Sequence, residues 1–165
     1  MSNPILTCCA FSFGYGPAAK LVLVAKRVRA LGLRPVFLGN GIAHELAARD
    51  DVFDDVIRAA PTDPRTSDII RESRGLLSMM DRDFAEVALA IGQPVYMADS
   101  LFWMRATLPP SFHRARRLWV QRFPLSHGND PPLPANATAV GPIVRPMLPR
   151  PLAERTRLVI NLGGL

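Results

Sequence analysis

The sequence predicts an α/β protein built on a doubly wound, parallel, Rossmann-like sheet. Short, continuously apolar runs of strand length recur along the chain. Between these runs lie segments in which apolar residues have helical spacing, and turns that contain glycine separate the predicted strands from the predicted helices. Strands that alternate with helices in this way pair in parallel through right-handed crossovers. The 165 residues suffice for one domain with a proper core and little more.

The first predicted unit is a strand, a turn and a helix. Residues 4–11 are apolar throughout, as in a strand buried on both faces. The turn at residues 12–17 contains Gly14 and Gly16, and Pro17 suits the first turn of a helix. Apolar residues then recur at helical spacing up to Gly32, which closes the helix: Leu21, Val24, Ala25, Val28 and Leu31.

Further strands and helices follow in alternation. The pattern predicts strands at residues 34–38, 53–57, 75–80, 93–98 and 118–123. It predicts a short helix through Ala48, a second helix that carries Phe84 and Ile91, and a third around Arg114. Residues 61–67 are predicted to be a polar turn region.

The composition changes after residue 123. Prolines crowd residues 124–151, with one short apolar element at 140–144, and this composition is typical of a semi-rigid connector between domains. Residues 157–165 then resemble a new buried strand that runs into Gly163 and Gly164. We therefore expect a Rossmann-like domain at residues 1–150 that ends in the connector, and at 151–165 the first strand of a missing second domain.

Charge and cysteine content narrow the class of protein. The net charge is +6 and comes almost entirely from arginine, but the basic residues form no long run and accompany no nucleic-acid-binding motif. We therefore expect anionic small ligands and no nucleic-acid partner. Cys8 and Cys9 are adjacent, so they point to opposite faces of a strand, as buried residues of a reduced cytoplasmic protein. No segment approaches the ~20 apolar residues that cross a membrane.

The order of these parts resembles the N-terminal half of a GT-B glycosyltransferase. Three stretches carry the resemblance: residues 14–20 followed by the strand at 36–39, residues 78–81 followed by 93–99, and Val140-Gly141-Pro142 ahead of residues 159–164. They are most similar to the branch of the peptidoglycan N-acetylglucosaminyltransferase and the UDP-glycosyltransferases. Residues 13–17 and 41–47 also resemble proteins grouped with cytosylglucuronate synthase.

The resemblance implies an acceptor-side domain that works with a UDP-sugar donor and a small polar acceptor, without a cofactor. In the narrower match the sugar would be glucuronic acid and the acceptor cytosine, in nucleoside antibiotic biosynthesis. The donor would bind mainly to a C-terminal domain, which is expected to be missing or separate. Gly163 and Gly164 would lie at the start of that domain and contact the donor. The chain is therefore expected to be inactive alone.

The candidate site residues follow the predicted strands. The resemblance places acceptor-binding residues in the first loop, at Gly14, Tyr15, Gly16 and Pro17, although Gly14 and Gly16 also suit a simple tight turn. The family's histidine base is absent, because Tyr15 and Pro17 stand at the matching positions.

Two aspartates at strand ends are the candidate catalytic residues. Asp81 matches a carboxylate that supports the base in the family, but it also suits a helix cap, a role for which Asp83 competes. Asp99 and Ser100 end the next strand and are candidate acceptor contacts. No histidine or cysteine has the spacing of metal ligands, so no metal is expected.

The sequence is also compatible with two other classes of protein. A non-catalytic Rossmann-like module that binds a nucleotide or a partner protein would need the glycine loop but not the two aspartates. A nicotinamide-dependent enzyme fits less well, because Ala19 replaces the third glycine of its fingerprint and Gly39-Asn40 replaces its acidic residue.

Overall fold

The computed structural model describes residues 3–122 and 131–145, which form a single seven-stranded sheet. The strand order is β3-β2-β1-β4-β5-β6-β7, and every neighbouring pair is parallel. The predicted doubly wound, Rossmann-like α/β fold is thus confirmed. The division between residues 150 and 151 lies outside the described residues and stays a prediction.

The elements alternate along the chain as the sequence predicts. The strands are β1 (Ile5–Ala10), β2 (Arg34–Gly39), β3 (Asp55–Arg58), β4 (Leu76–Met79), β5 (Val95–Asp99), β6 (Arg117–Gln121) and β7 (Ala137–Val140). The helices are α1 (Tyr15–Ala30), α2 (Gly41–Ala47), α3 (Pro64–Arg71), α4 (Arg82–Ala90) and α5 (Pro110–Arg114), with a 3-10 turn at Phe102–Met104.

Each face of the sheet packs its own core. Leu6 and Cys8 of β1 join the core under α1 and α2, whereas Cys9 joins the core under α3, α4 and α5. Both thiols are fully buried and free, and burial raises the pKa of each. The prediction that the adjacent cysteines lie on opposite faces of a buried strand is confirmed.

Helix α3 begins inside the predicted polar turn region, so that prediction is wrong for residues 64–67, whereas residues 61 and 62 do form a turn. Asp63 caps the helix by accepting a hydrogen bond from the backbone N–H of Arg65 at 3.0 Å, and Pro64 occupies the first helical position. Thr66 and Ile70 form the buried face. Polar residues dominate the other positions, which explains why the segment resembles a turn.

Strand β7 lies inside the segment that the sequence analysis describes as a connector. It extends the sheet beside β6, with Leu118 opposite Ala137. Asn136 anchors its start, because its amide donates to the carbonyls of Phe112 at 2.8 Å and Ala115 at 2.6 Å. The predicted apolar element at 140–144 therefore begins only where this seventh strand ends.

Candidate functional site

The carboxyl edge of the sheet has a topological switch point between β1 and β4. The chain leaves β1 through α1 and α2 to build β2 and β3 on one side, then crosses through α3 to build β4 and the remaining strands on the other. In open α/β sheets, ligands bind in the crevice that these diverging connections leave. The candidate site therefore consists of the loops that follow β1, β4 and β5.

The loop after β1 reaches helix α1 through Gly14. Gly14 has φ 82° and ψ 157°, a conformation that glycine adopts far more readily than other residues, and no side chain caps the helix. The first turn of α1 also contains no acidic residue, so no carboxylate in that turn offsets the positive end of the helix.

Gly16 differs from Gly14 in its backbone conformation, although both are predicted acceptor-binding residues of the same loop. It lies inside helix α1 without a positive φ, and a β-carbon there would meet nothing within 4 Å. The tight turn therefore needs glycine at position 14 and not at position 16. Tyr15 is exposed in the first turn of the helix, beside the half-buried Pro17.

This difference between the two glycines predicts different mutational effects. Gly14→Ala should lower the free energy of unfolding by about 1–3 kcal/mol, because alanine is strained at that φ and ψ. Gly16→Ala should leave it unchanged or raise it by up to about 1 kcal/mol, because alanine is the better helix former. Urea unfolding of both variants measures the difference, and an equal loss at both positions would contradict the assignment.

Asp81 follows β4 one residue after its end, beyond Met80, and caps helix α4. Its Oδ1 accepts hydrogen bonds from the backbone N–H groups of Asp83 at 3.1 Å and Phe84 at 3.2 Å, so Asp81 and not Asp83 is the cap. The buried Ser78 hydroxyl donates to the Asp81 carbonyl at 2.5 Å and accepts from its N–H at 3.1 Å. Among the described residues, none donates a hydrogen bond to Oδ2.

The acidity of Asp81 reflects its burial. The residue is only 7% exposed, and desolvation raises its carboxyl pKa to about 6, with the nearby Asp83 carboxylate adding to the effect. A carboxyl group with this pKa is mostly ionised at pH 7 and can still take up a proton. Because only Oδ1 caps the helix, Oδ2 remains available to take up a proton.

Met80 shapes the turn that places Asp81. It has φ 66°, and it is the only non-glycine residue with a positive φ in the described part of the chain. Its N–H donates to the Ala98 carbonyl at 2.9 Å, and its sulfur accepts a hydrogen bond from the Ser100 hydroxyl at 2.9 Å. A strained residue at this point is held in place by its neighbours on β5 and in the loop after it.

Asp99 ends β5, is fully buried, and forms an ion pair with the partly exposed Arg105. Its Oδ1 accepts from the Leu101 N–H at 2.7 Å, and its Oδ2 accepts from both Nε and Nη2 of Arg105. The Arg105 guanidinium also lies 4.9 Å from the centre of the Phe112 ring. Both carboxylate oxygens are thus occupied, which fits an anchor for the loop after β5; the predicted catalytic role stays a prediction.

Large apolar side chains surround these polar groups. Six of them are exposed in or beside the loops after β1 and β5, and we call them the apolar rim: Phe11, Phe13, Tyr15, Leu101, Trp103 and Met104. Elsewhere in residues 3–122 and 131–145, exposed large apolar side chains occur only at Leu31, Leu133 and Val144. Such a concentration of exposed apolar side chains is typical of a binding surface.

A groove of about 380 Å³ begins beside the candidate site. It lies between α1, α2 and residues 143–145, and it includes Gly16 and Lys20 at its start. Burial lowers the pKa of Lys20, while the negative charge of Asp99 opposes that change.

The remaining candidate residues lie outside this cluster. Gly163 and Gly164 are beyond the described residues, and their predicted contact with the donor stays a prediction. In helix α2, His44 Nδ1 lies 3.4 Å from Arg58 Nη2 of β3. In the described ranges, no group of three or more His, Cys, Asp or Glu residues has the arrangement of a metal site.

These features define a Rossmann-like α/β domain with its candidate site at the switch point. No protein-family model matches the chain, and no curated protein matches it. None of the described helices has the length and apolar character needed to span a bilayer.

Solved structures similar to the chain include a protein in complex with UDP and a yeast dehydrogenase. The crystal structure of LpCGTa in complex with UDP matches over 86% of this chain and 53% of that chain, with 11% sequence identity and a TM-score of 0.51. Apo histidine-tagged saccharopine dehydrogenase (L-Glu forming) from Saccharomyces cerevisiae matches over 72% of this chain and 26% of that chain, with 13% identity and a TM-score of 0.44. The matched region thus spans about half of LpCGTa and about a quarter of the yeast protein. The similarity to LpCGTa shows the shared fold.

Proposed function

We propose that the chain is the acceptor-side domain of a UDP-sugar-dependent glycosyltransferase of GT-B architecture. The observation that carries the proposal is Asp81, a buried carboxylate with a pKa of about 6 at the switch point. A general base works best when its pKa lies near the working pH. The UDP bound to LpCGTa, whose fold this chain shares, supports a UDP-sugar as the donor.

In the proposed reaction one proton is transferred, and one bond to the anomeric carbon forms while another breaks. Asp81 Oδ2 takes the proton from an acceptor hydroxyl or ring N–H, and the acceptor atom forms a bond to the anomeric carbon of the sugar. The bond between that carbon and the diphosphate oxygen breaks, and UDP leaves with the electron pair. The uncapped N-terminus of α1 would favour the negative charge that develops on the leaving diphosphate.

The donor would be held mainly by a second domain. This extends the expectation that residues 151–165 begin that domain, with Gly163 and Gly164 in its first loop. The narrower reaction, transfer of glucuronic acid to cytosine, is supported by the sequence resemblance at residues 13–17 and 41–47 alone.

The proposal predicts that the 165-residue chain transfers no sugar by itself. Transfer needs both sides of a two-domain cleft, so activity should appear only after a UDP-binding C-terminal domain is joined after residue 150. Release of UDP from UDP-glucuronate and UDP-glucose, followed by chromatography with candidate acceptors, measures this. Asp81→Asn in the joined protein is the matched control and should lower transfer about 10²–10⁴-fold. Robust turnover by the chain alone, or full activity of the Asp81→Asn variant, would contradict the proposal.

A further inference from the structure

Ser78 is a fully buried polar side chain in an otherwise apolar strand. The other residues of β4 all join one of the two cores: Leu76, Leu77 and Met79. A buried hydroxyl costs free energy unless it is hydrogen-bonded. The Ser78 hydroxyl bonds to the main chain of Asp81, because it donates to the carbonyl at 2.5 Å and accepts from the N–H at 3.1 Å.

These two hydrogen bonds close the turn between β4 and α4. The chain leaves β4 through Met80, whose φ of 66° is a conformation that residues other than glycine rarely adopt. Ser78 holds the main chain of Asp81 from the strand side, and the N–H groups at the start of α4 hold Oδ1 from the helix side. Asp81 is thus fixed at its main chain and at one carboxylate oxygen, while Oδ2 has no donor among the described residues.

Ser78 also contacts the neighbouring strand. Cys9 of β1 is its partner in the register of the sheet. Burial raises the pKa of the Cys9 thiol, the charge of Asp81 raises it further, and a hydrogen bond with Ser78 opposes both effects. Ser78 therefore connects the turn at Asp81 to β1 and β4, two strands that each have a neighbour on both sides. Rigid strands hold a functional group more precisely than loops do.

We propose that Ser78 is a positioning residue for the candidate base. Its hydroxyl holds the main chain of Asp81 so that Oδ1 caps α4 and Oδ2 stays free to take the proton of the acceptor. The inference rests on the proposed function and adds to it a buried residue that acts only through Asp81. A displacement of about 1 Å can lower the rate of a reaction about 100-fold, so the loss of this support should affect transfer strongly.

Ser73 provides a matched control at the other end of β4. Its buried hydroxyl also bonds to the main chain, and it lies 2.8 Å from the carbonyl oxygen of Ile70 and 3.0 Å from that of Gly75. Ser73→Ala and Ser78→Ala each remove one buried hydroxyl that bonds to the main chain. Both variants should therefore lower the urea midpoint of unfolding by a similar amount, but only Ser78→Ala should change the behaviour of Asp81.

NMR titration of the carboxyl groups in the 165-residue chain measures the pKa of Asp81 without any transfer. Ser78→Ala should lower that pKa by about one pH unit towards its ordinary value, because a loosened turn admits water to the carboxyl group. Ser73→Ala should leave it unchanged. The charged groups of α4 that act on this carboxyl, Arg82 and Asp83, are retained in both variants.

Sugar transfer by the joined two-domain protein gives a second measurement. Ser78→Ala should lower kcat about 10-fold to 100-fold and leave KM unchanged, since the buried Ser78 contacts no acceptor. Added to Asp81→Asn, it should cause no further loss, because both changes act on the same group. An equal loss of kcat in Ser73→Ala, or a full additional loss in the Asp81→Asn background, would overturn the proposal.

The two measurements separate this inference from the proposed function. An unchanged Asp81 pKa in Ser78→Ala would overturn the inference, even if Asp81→Asn abolished transfer as the proposed function requires. If Asp81→Asn kept full transfer while Ser78→Ala lowered the pKa of Asp81, the proposed function would fail and the effect of Ser78 on that carboxyl group would stand.

Discussion

Replacing Arg105 with alanine should lower the free energy of unfolding by about 3–5 kcal/mol, the cost of leaving a buried charge unpaired. Asp99 is fully buried, and Arg105 supplies both hydrogen bonds to its Oδ2. The loss of the guanidinium from the Phe112 ring adds a smaller contribution. Urea unfolding at pH 7, followed by circular dichroism, measures the change.

An exposed ion pair on the same protein provides the control. Arg71 contacts Asp68 at 2.6 Å, but both side chains are more than half exposed, so Arg71→Ala should cost less than about 1 kcal/mol. Adding Asp99→Asn to Arg105→Ala should recover much of the lost stability, because it removes the uncompensated charge. Similar losses for Arg71→Ala and Arg105→Ala would show that Asp99 is well solvated without its partner.

The stability of the protein should depend on Asp81 between about pH 4 and pH 6. Its pKa rises from the ordinary value of 3.8 to about 6 on folding, so in this window the folded state keeps a proton that the unfolded state releases. The contribution is present below pH 4 and is lost as the pH rises through 6. The unfolding free energy of the wild type should therefore fall by about 2–3 kcal/mol across the window relative to Asp81→Asn, which still caps α4.

Urea unfolding at pH 4, 5, 6 and 7 gives this comparison directly. Asp83→Asn is the matched control, because Asp83 is an exposed neighbour on the same helix and is not the cap. The desolvation of Asp81, the largest cause of its raised pKa, is unchanged in this variant, so the variant should keep most of the fall in unfolding free energy. A profile for Asp81→Asn that runs parallel to the wild-type profile would mean that the Asp81 carboxyl is not desolvated in the folded state.

The sheet was predictable from sequence because its strands are buried on both faces. A run such as residues 5–10 is apolar at every position except Thr7, and that pattern is visible without knowledge of its partners. Helix α3 was not predictable in the same way. Its buried face consists of Thr66 and Ile70 alone, so the cap at Asp63 was the only strong signal.

Some residues of the candidate site were predictable from the sequence and others were not. Asp81 and Asp99 follow strand ends, so the pattern of apolar strands alone identifies them. Arg105 could not be paired with Asp99, since the two lie six positions apart across a loop in which no periodicity fixes their approach. The apolar rim left a signal that was missed. Phe13 and Trp103 lie in loops after strands, where exposed rings are unusual unless something binds there.

The two cysteines of β1 give the protein a built-in kinetic probe. Each thiol is fully buried and faces a different half of the core, and the raised pKa suppresses the reactive thiolate. Iodoacetamide can therefore alkylate Cys8 only when the layer under α1 and α2 opens, and Cys9 only when the layer under α3, α4 and α5 opens. Mass spectrometry of the two modified sites would time the opening of each layer separately, without any engineered label.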